Sequence, residues 1–513
     1  MSRRKLLGGL ALGSSVFAGA ALAGCGDTQI VEKEVVRLVT QEVPVEKVVT
    51  QIVEKERVVE KEVAVEVEKV VTQTVKEVVV QEKVVTQVVE KVVTAAPMAP
   101  KAVTIRFQDW GGDYAELVEG QGAPAFTAQF PHITVQYEAY ASGWQQKTLT
   151  AMVAGTAPHI LHVFGSTTKL FADRGQLANL TPFVKRDFTQ ETIDDFQKPQ
   201  WDAMVLPGTD IRFALPKHLW MGVLLFNKQM FDEAGVEYPT VDWGRPEYDE
   251  ALIKLTRKEG DQVVQWGGAI PATSYDRVVH HVRAFGGNMV DPDDPTRTIP
   301  AFDQPEALDA LEWIRRRMWD ENTLIQPPQA AGKNNYALLM EGLAATIEEG
   351  VSWLFRLADG TDLPWDIAHH PSGPVVRAAH MSSNGWSIYR GVFEQGVEED
   401  TWELMKYLTS PDWQRIMLTG KSRAIVPARK SVLPFYVTNT RALDPKMNDV
   451  NLELIPEAVQ LGYHAPAEFE HFWNQTAAWE VLGPVFDQIF VSGNTSVEEL
   501  KNVVEDVMKS QED

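Results

Sequence analysis

The chain contains one cysteine, Cys25, and its sequence changes character on either side of that residue. A lone thiol excludes an intramolecular disulfide framework and any zinc cluster built on cysteine. What folds here is held by burial alone. With 513 residues, 44% of them hydrophobic, and 15 tryptophans, the chain can bury one large core or two moderate ones. The formal net charge is -23, and about -26 once Arg3, Arg4 and Lys5 leave with an N-terminal leader. A surface this acidic repels nucleic acid and anionic lipid headgroups, so nucleic acid is excluded as the main partner.

Residues 1–24 read as an export signal. Ser2-Arg3-Arg4-Lys5-Leu6-Leu7 resembles a twin-arginine signal, the route for proteins that have already folded. The apolar stretch Leu6 to Leu22 is interrupted by Gly8, Gly9, Gly13 and Gly19, and is too short and too weakly hydrophobic for a membrane span. Leu22-Ala23-Gly24-Cys25 resembles the lipobox of bacterial lipoproteins. That resemblance implies acylation of Cys25 as the new N-terminus, and a location on the outer face of the cell membrane.

Residues 25–100 read as a stalk. From Thr28 to Thr94 the alphabet collapses to a few residue types, chiefly Val, Glu, Lys, Thr and Gln. The units Val45–Gln51 and Glu82–Gln87 are near copies. Val71, Val75, Val78, Val85, Val89 and Val92 partly follow a three-four spacing, which predicts a coiled coil. Glu42, Glu56 and Glu82 break that heptad, and valine forms strands better than helices. A rod if it oligomerises, an extended spacer if not, is the expectation. Ala95-Ala96-Pro97-Met98-Ala99-Pro100 ends it.

Residues 101–513 alternate strand and helix. Val103–Phe107, Ile133–Tyr137 and Ile160–Phe164 read as strands, with a helical stretch from about Tyr114 to Gln129 between the first two. That order predicts an α/β domain with a mostly parallel sheet, which places ligand beyond the carboxyl ends of the strands. The turns Trp110–Asp113 and Phe164–Thr168 sit at such ends.

The middle of the chain is the most specific. Ala214–Trp220 leads into Val223-Leu224-Leu225-Phe226-Asn227-Lys228, then Phe231-Asp232-Glu233-Ala234-Gly235, then Tyr238-Pro239-Thr240-Val241-Asp242-Trp243. With Ala154–Pro158, Leu177–Pro182, Phe285–Asn288, Phe302–Ala307, Met340–Thr346, Trp402–Ser410 and Gly420–Arg429 in order, this resembles the extracellular solute-binding proteins of ABC importers, family 1. His159 stands where that family usually has Asp. The resemblance implies a two-lobed periplasmic-binding-protein-like (type II) clamshell. Lobe one is expected at about 103–213 and 381–430, and lobe two at about 214–380 and 431–513.

A sugar needs aromatic plates for its ring faces and planar polar groups for its hydroxyl rim. Trp110, Trp220, Trp353 and Trp386 lie beside Gly or Pro in expected loops or strand ends, with Trp144, Trp201 and Trp473 as further candidates. Trp313, Trp319, Trp402 and Trp413 read as helix-packing residues. Asp109, Asp113, Ser166, His218, Glu349 and Arg423 are the candidates for the rim, and Gly111, in the turn after Trp110, is a further ligand-binding candidate. His464, Glu468 and His471 could form a metal face on a helix, but Pro466 would start that helix and leave His464 outside it. The pairs His280-His281 and His369-His370 read as ordinary polar positions, so no metal and no cofactor is expected. Gly120–Ala125 fits a dinucleotide fingerprint only after a helix, where it has no such meaning. The expectation is a lipid-anchored, non-enzymatic receptor that carries a sugar to an ABC permease. The rivals are a secreted glycan-cleaving enzyme and a same-fold binder of peptides, polyamines or metal ions.

Overall fold

The computed structural model describes residues 100–139, 144–164, 170–421 and 425–512, together with four short strands before them. Two compact units divide at Pro100. The leader and Cys25 lie outside the described residues.

Within the N-terminal unit, β1 (Ile30–Glu32) pairs antiparallel with β4 (Lys91–Val93), and β2 (Lys55–Val59) pairs antiparallel with β3 (Ala64–Glu68). Of the valines whose spacing predicts a coiled coil, only Val92 falls in one of these strands; Val71, Val75, Val78, Val85 and Val89 lie outside the described residues. Valine's branched Cβ loses rotamer freedom in a helix and packs readily on a pleated strand.

In residues 101–513, β5 (Val103–Asp109) lies parallel to β6 (Ile133–Ala139) and to β7 (Ile160–Phe164). The helical stretch between β5 and β6 runs Asp113–Leu117, a π turn Val118–Gly122, and Ala123–Gln129. The fingerprint-like Gly120–Ala125 therefore lies inside helical structure.

The long strand β8 (Leu215–Asn227) is buried along almost its whole length. Short strands β9 (Arg257–Glu259) and β10 (Gln262–Ala269) follow, then β11 (Ala344–Gly350), β12 (Trp365–Ala368) and β13 (Ala379–Ile388). β14 (Val426–Pro427) and β15 (His464–Pro466) complete the set.

The strands form one sheet in the order β6-β5-β7-β13-β8-β11-β10-β9, with β12 and β14 also on β8 and β15 on β13. Its wings are parallel: β5 with β6 and β7 on one side, β10 with β11 on the other. Its centre is antiparallel, so the sheet is mixed, where sequence alone suggested mostly parallel. β8 pairs with β13 through Leu215–Met221 and with β11 through Gly222–Phe226. One strand thus serves both wings, and the chain crosses between lobes along β8 and returns along β13. The fold is a two-lobed α/β binding-protein clamshell.

Local chemistry explains the turns beside the crossing. At the end of β8 the Asn227 side chain accepts a hydrogen bond from the Met230 amide at 3.1 Å and caps helix Lys228–Ala234. Gly235 ends that helix at φ 63°, a left-handed cap that a side chain would resist. Among the described residues no helix is long and apolar enough to cross a membrane.

Candidate functional site

The parallel strands of both wings present their carboxyl ends near the crossing. In the first wing, β5 ends at Asp109 and runs into Trp110, and β7 ends at Phe164. Trp110 is half-buried, stacks on Phe164 with ring centres 6.4 Å apart, and meets the edge of His162 at 5.2 Å. Trp144, also half-buried, adds a ring 5.7 Å from Phe164. These aromatic groups make one wall.

That wall is pinned to β8 by a buried ion pair. Lys217 Nζ reaches the two carboxylate oxygens of Asp109 at 2.5 and 2.6 Å, with both side chains almost fully enclosed. Burial pushes the Asp109 carboxyl up from its ordinary value, and the Lys217 ammonium opposes that rise. Asp109 is therefore spoken for, and is not a rim group. His218 lines a narrow pocket with Tyr114, Lys217, Trp413 and Pro427.

The second wing offers the ends of β10 and β11. Trp220, half-buried on β8, carries the Arg277 guanidinium over its ring, 3.9 Å from the centre. Arg277 in turn donates to Glu349 Oε1 at 2.8 Å. Gly350 lies so close that a Cβ there would overlap the Trp220 indole. Trp353 stacks on Tyr336 at 5.5 Å, and Arg356 lies 4.2 Å from its ring centre. Tyr336 fixes its own ring by donating to the Gly350 carbonyl.

A small, solvent-open pocket lies beside β13. Asp202, Pro207 and Phe213 line it from the first lobe. Ser383, Arg297, Glu468 and His471 line it from β13 and the second lobe. Burial raises the Glu468 carboxyl from its ordinary value, while its Oε1 accepts the Ser383 amide at 3.0 Å. Burial lowers the His471 imidazole, but the Asp276 carboxylate, 2.7 Å away, outweighs it and leaves the ring above its ordinary value.

Of the sequence candidates, Trp110, Gly111, Trp220, Glu349 and Trp353 lie at strand ends or crossover positions, partly or fully exposed. Trp386 does not belong with them. Its ring is 0% exposed, sits edge-on to Phe107 at 5.2 Å, and lies under Lys217 in the first lobe. The polar residues before it, read as a loop, are the middle of β13. Ser166 and Arg423 lie outside the described residues, and only the backbone of Asp113 is described. Trp201 is packed between Phe196 and the Arg212 guanidinium, 3.6 Å from its ring centre.

Sequence reasoning missed Arg277 and Tyr336, and named Phe164 only as the start of a turn at a strand end. Arg277 lies in the first turn of helix Tyr275–Ala284, just after β10. The rule that helices following sheet strands start at the ligand side would have found it.

The histidine pairs are not ordinary polar positions. His280, His281 and His370 are buried around Glu348, with His380 and His464 close by. Burial holds these imidazoles below their ordinary value, His280 at about 3 and His464 at about 4. His464 itself lies on β15, and Glu468 in the short 3-10 turn Ala467–Glu470, so these two do not share a helix face with His471.

Known proteins share this architecture. An ABC substrate-binding protein of Listeria monocytogenes, solved in complex with cycloalternan, superposes with a TM-score of 0.63 at 22% identity, covering 80% of this chain and 98% of that one. The sugar-binding protein MalE of Xanthomonas citri gives 0.64 at 17% identity, over 80% and 98%. UgpB of Mycobacterium tuberculosis, solved with glycerophosphocholine, gives 0.62 at 15%, over 79% and 98%. At such identities these likenesses speak to the fold. The family model for bacterial extracellular solute-binding proteins matches residues 108–415, more than half of the sequence. The crossing strands, the aromatic strand ends and this match agree: the chain belongs to the bacterial extracellular solute-binding protein family.

Proposed function

We propose that the protein captures a neutral sugar between its two lobes and delivers it, unaltered, to an ABC permease at the outer face of the membrane. One observation carries this reading. Half-buried aromatic rings gather at the strand ends of both wings, and the charged groups beside them are paired. Asp109 is matched by Lys217, and Arg277 by Glu349. A wall of rings with neutralised charges suits apolar sugar faces and hydroxyl rims better than an ionic solute. Two of the related folds were solved as sugar-binding proteins or with a sugar bound.

Binding needs only closure. Water leaves the cleft as the lobes approach, each hydrogen bond strengthens, and the permease reads the closed form. The Cys25 acyl anchor and the Val/Glu/Lys-rich stalk would hold the clamshell off the membrane, with lobe limits as expected above.

The test is a thermal-shift panel of neutral mono- and oligosaccharides, glycerophosphodiesters, peptides and polyamines, repeated on Trp110→Ala and Trp220→Ala. A neutral sugar should raise the wild-type melting temperature, and each variant should bind it about 2- to 10-fold more weakly. Stabilisation only by a glycerophosphodiester would favour the chemistry of the UgpB relative. Release of reducing ends from a glycan would favour the glycan-cleaving reading.

A further inference from the structure

We infer that the second lobe holds a divalent transition-metal ion of the zinc class on His280, Glu348 and His370. One ligand atom from each of these three residues lies within 4.8 Å of the other two, and all three side chains are buried. Helix Tyr275–Ala284 brings His280, the strand β11 brings Glu348, and the segment after β12 brings His370. The inference is independent of the sugar reading, although Glu348 and Glu349 are successive residues of one strand. Glu349 pairs with Arg277, which lies over Trp220, whereas the proposed ligands gather on Glu348 and on His280, one turn further along the same helix.

One hydrogen bond sets His281 apart from the proposed ligands. A guanidinium can only donate, so His281 Nδ1 accepts from Arg245 Nη2 at 2.7 Å. The proton of that neutral ring is then on Nε2, 2.8 Å from Glu348 Oε2. That ring lies against the carboxylate by distance without an aligned hydrogen bond, and takes the place of an outer partner of a metal ligand. The other oxygen, Glu348 Oε1, is buried without a hydrogen-bond partner, as is His370 Nε2. His370 Nδ1 lies 4.0 Å from Glu348 Oε1, and His280 Nε2 lies 3.1 Å from Oε2. Tetrahedral zinc sets its ligand atoms about 3.3 Å apart, so a small inward movement of these side chains closes the site. Gly222 gives room for it: a Cβ there would lie 3.4 Å from His370 Nε2 and 3.0 Å from the His380 carbonyl. An orphaned carboxylate oxygen beside two uncharged imidazoles is a donor set that an ion satisfies and a purely hydrogen-bonded core leaves incomplete.

Because the ligands are enclosed, the ion enters as the chain folds. The test compares the full chain, chelator-treated and then either titrated with zinc or refolded from denaturant with zinc present. Bound metal is counted after desalting, and cobalt substitution is read by its visible absorption. The wild type should retain one zinc per chain after refolding and show the intense bands of a four-coordinate cobalt. Glu348→Gln and His370→Asn should weaken retention by at least about tenfold, while His132→Asn, in the first lobe, should not. Should a variant fail to fold, the wild-type metal count and cobalt spectrum decide alone. Absence of zinc from the refolded wild type, or equal retention in the Glu348→Gln and His370→Asn proteins, overturns the inference.

Discussion

Lys217→Met removes the cation that accompanies Asp109 at the floor of the aromatic wall. Both side chains are almost fully enclosed and lie 2.5 Å apart, so the carboxylate left behind has no access to water. Stripping one member from a buried pair costs about 3–5 kcal/mol. The route of escape sets the pH dependence. If Asp109 takes up a proton, holding it neutral at pH 7 against an unfolded value of about 3.9 costs about 4 kcal/mol, and at pH 5 about 1.5 kcal/mol.

His162 Nδ1, 3.4 Å from Asp109 Oδ1, is the other group that can respond. If it takes the proton instead, the penalty shrinks as pH falls towards about 6.5 and is constant below. In both cases a proton bound by the folded state stabilises it in acid, so the defect is larger at pH 8 than at pH 5. Urea unfolding of wild type and variant from pH 4.5 to 8.5 reads the difference. A slope that persists below pH 6 assigns the proton to Asp109, and a plateau there assigns it to His162. A difference that does not grow between pH 6.5 and pH 8.5 refutes the reasoning.

Three other outcomes follow from the same geometry. Gly350→Ala forces the Trp220 indole off its place, so it should destabilise the fold by about 1–3 kcal/mol, shift the tryptophan emission, and weaken sugar binding. His471→Gln should cost more stability at pH 5.5 than at pH 8.5. The raised imidazole contributes below its unfolded value and loses that contribution as pH climbs through its folded one. Its partner Asp276 is two-fifths exposed, which holds the difference to about 1 kcal/mol by denaturant titration. Trp386→Phe should lower stability without changing sugar affinity in a fluorescence-independent assay such as calorimetry, because the ring is a core residue.

Strands with an alternating burial pattern were legible in the sequence. Val103–Phe107 and Ile133–Tyr137 each extend by two residues, and Ile160–Phe164, legible as a short buried run and not by alternation, falls where it was expected. The crossing strand was not legible from periodicity. Leu215–Asn227 is covered on both faces, so it shows no alternation, and only the resemblance to binding proteins placed it. Trp386 misled for the converse reason. Ser382, Ser383, Asn384 and Gly385 look like a loop, yet all four pair with β8, and Asn384 and Gly385 pair with β7 on the other side. Asn384 satisfies its buried amide oxygen through His162 at 3.1 Å. The His280–Glu348–His370 cluster escaped because its members come from three separate elements, far apart in sequence, so no local spacing betrays them.

The central claim is that the two lobes, joined through β8 and β13, close on a neutral sugar. Small-angle scattering on the purified protein, with and without a saturating sugar from the thermal-shift panel, tests it most directly. The radius of gyration should fall when sugar is added to the wild type, and the fall should be smaller in Trp110→Ala at a sugar concentration just sufficient to saturate the wild type. An unchanged radius with a sugar shown by calorimetry to be bound would contradict closure of the clamshell.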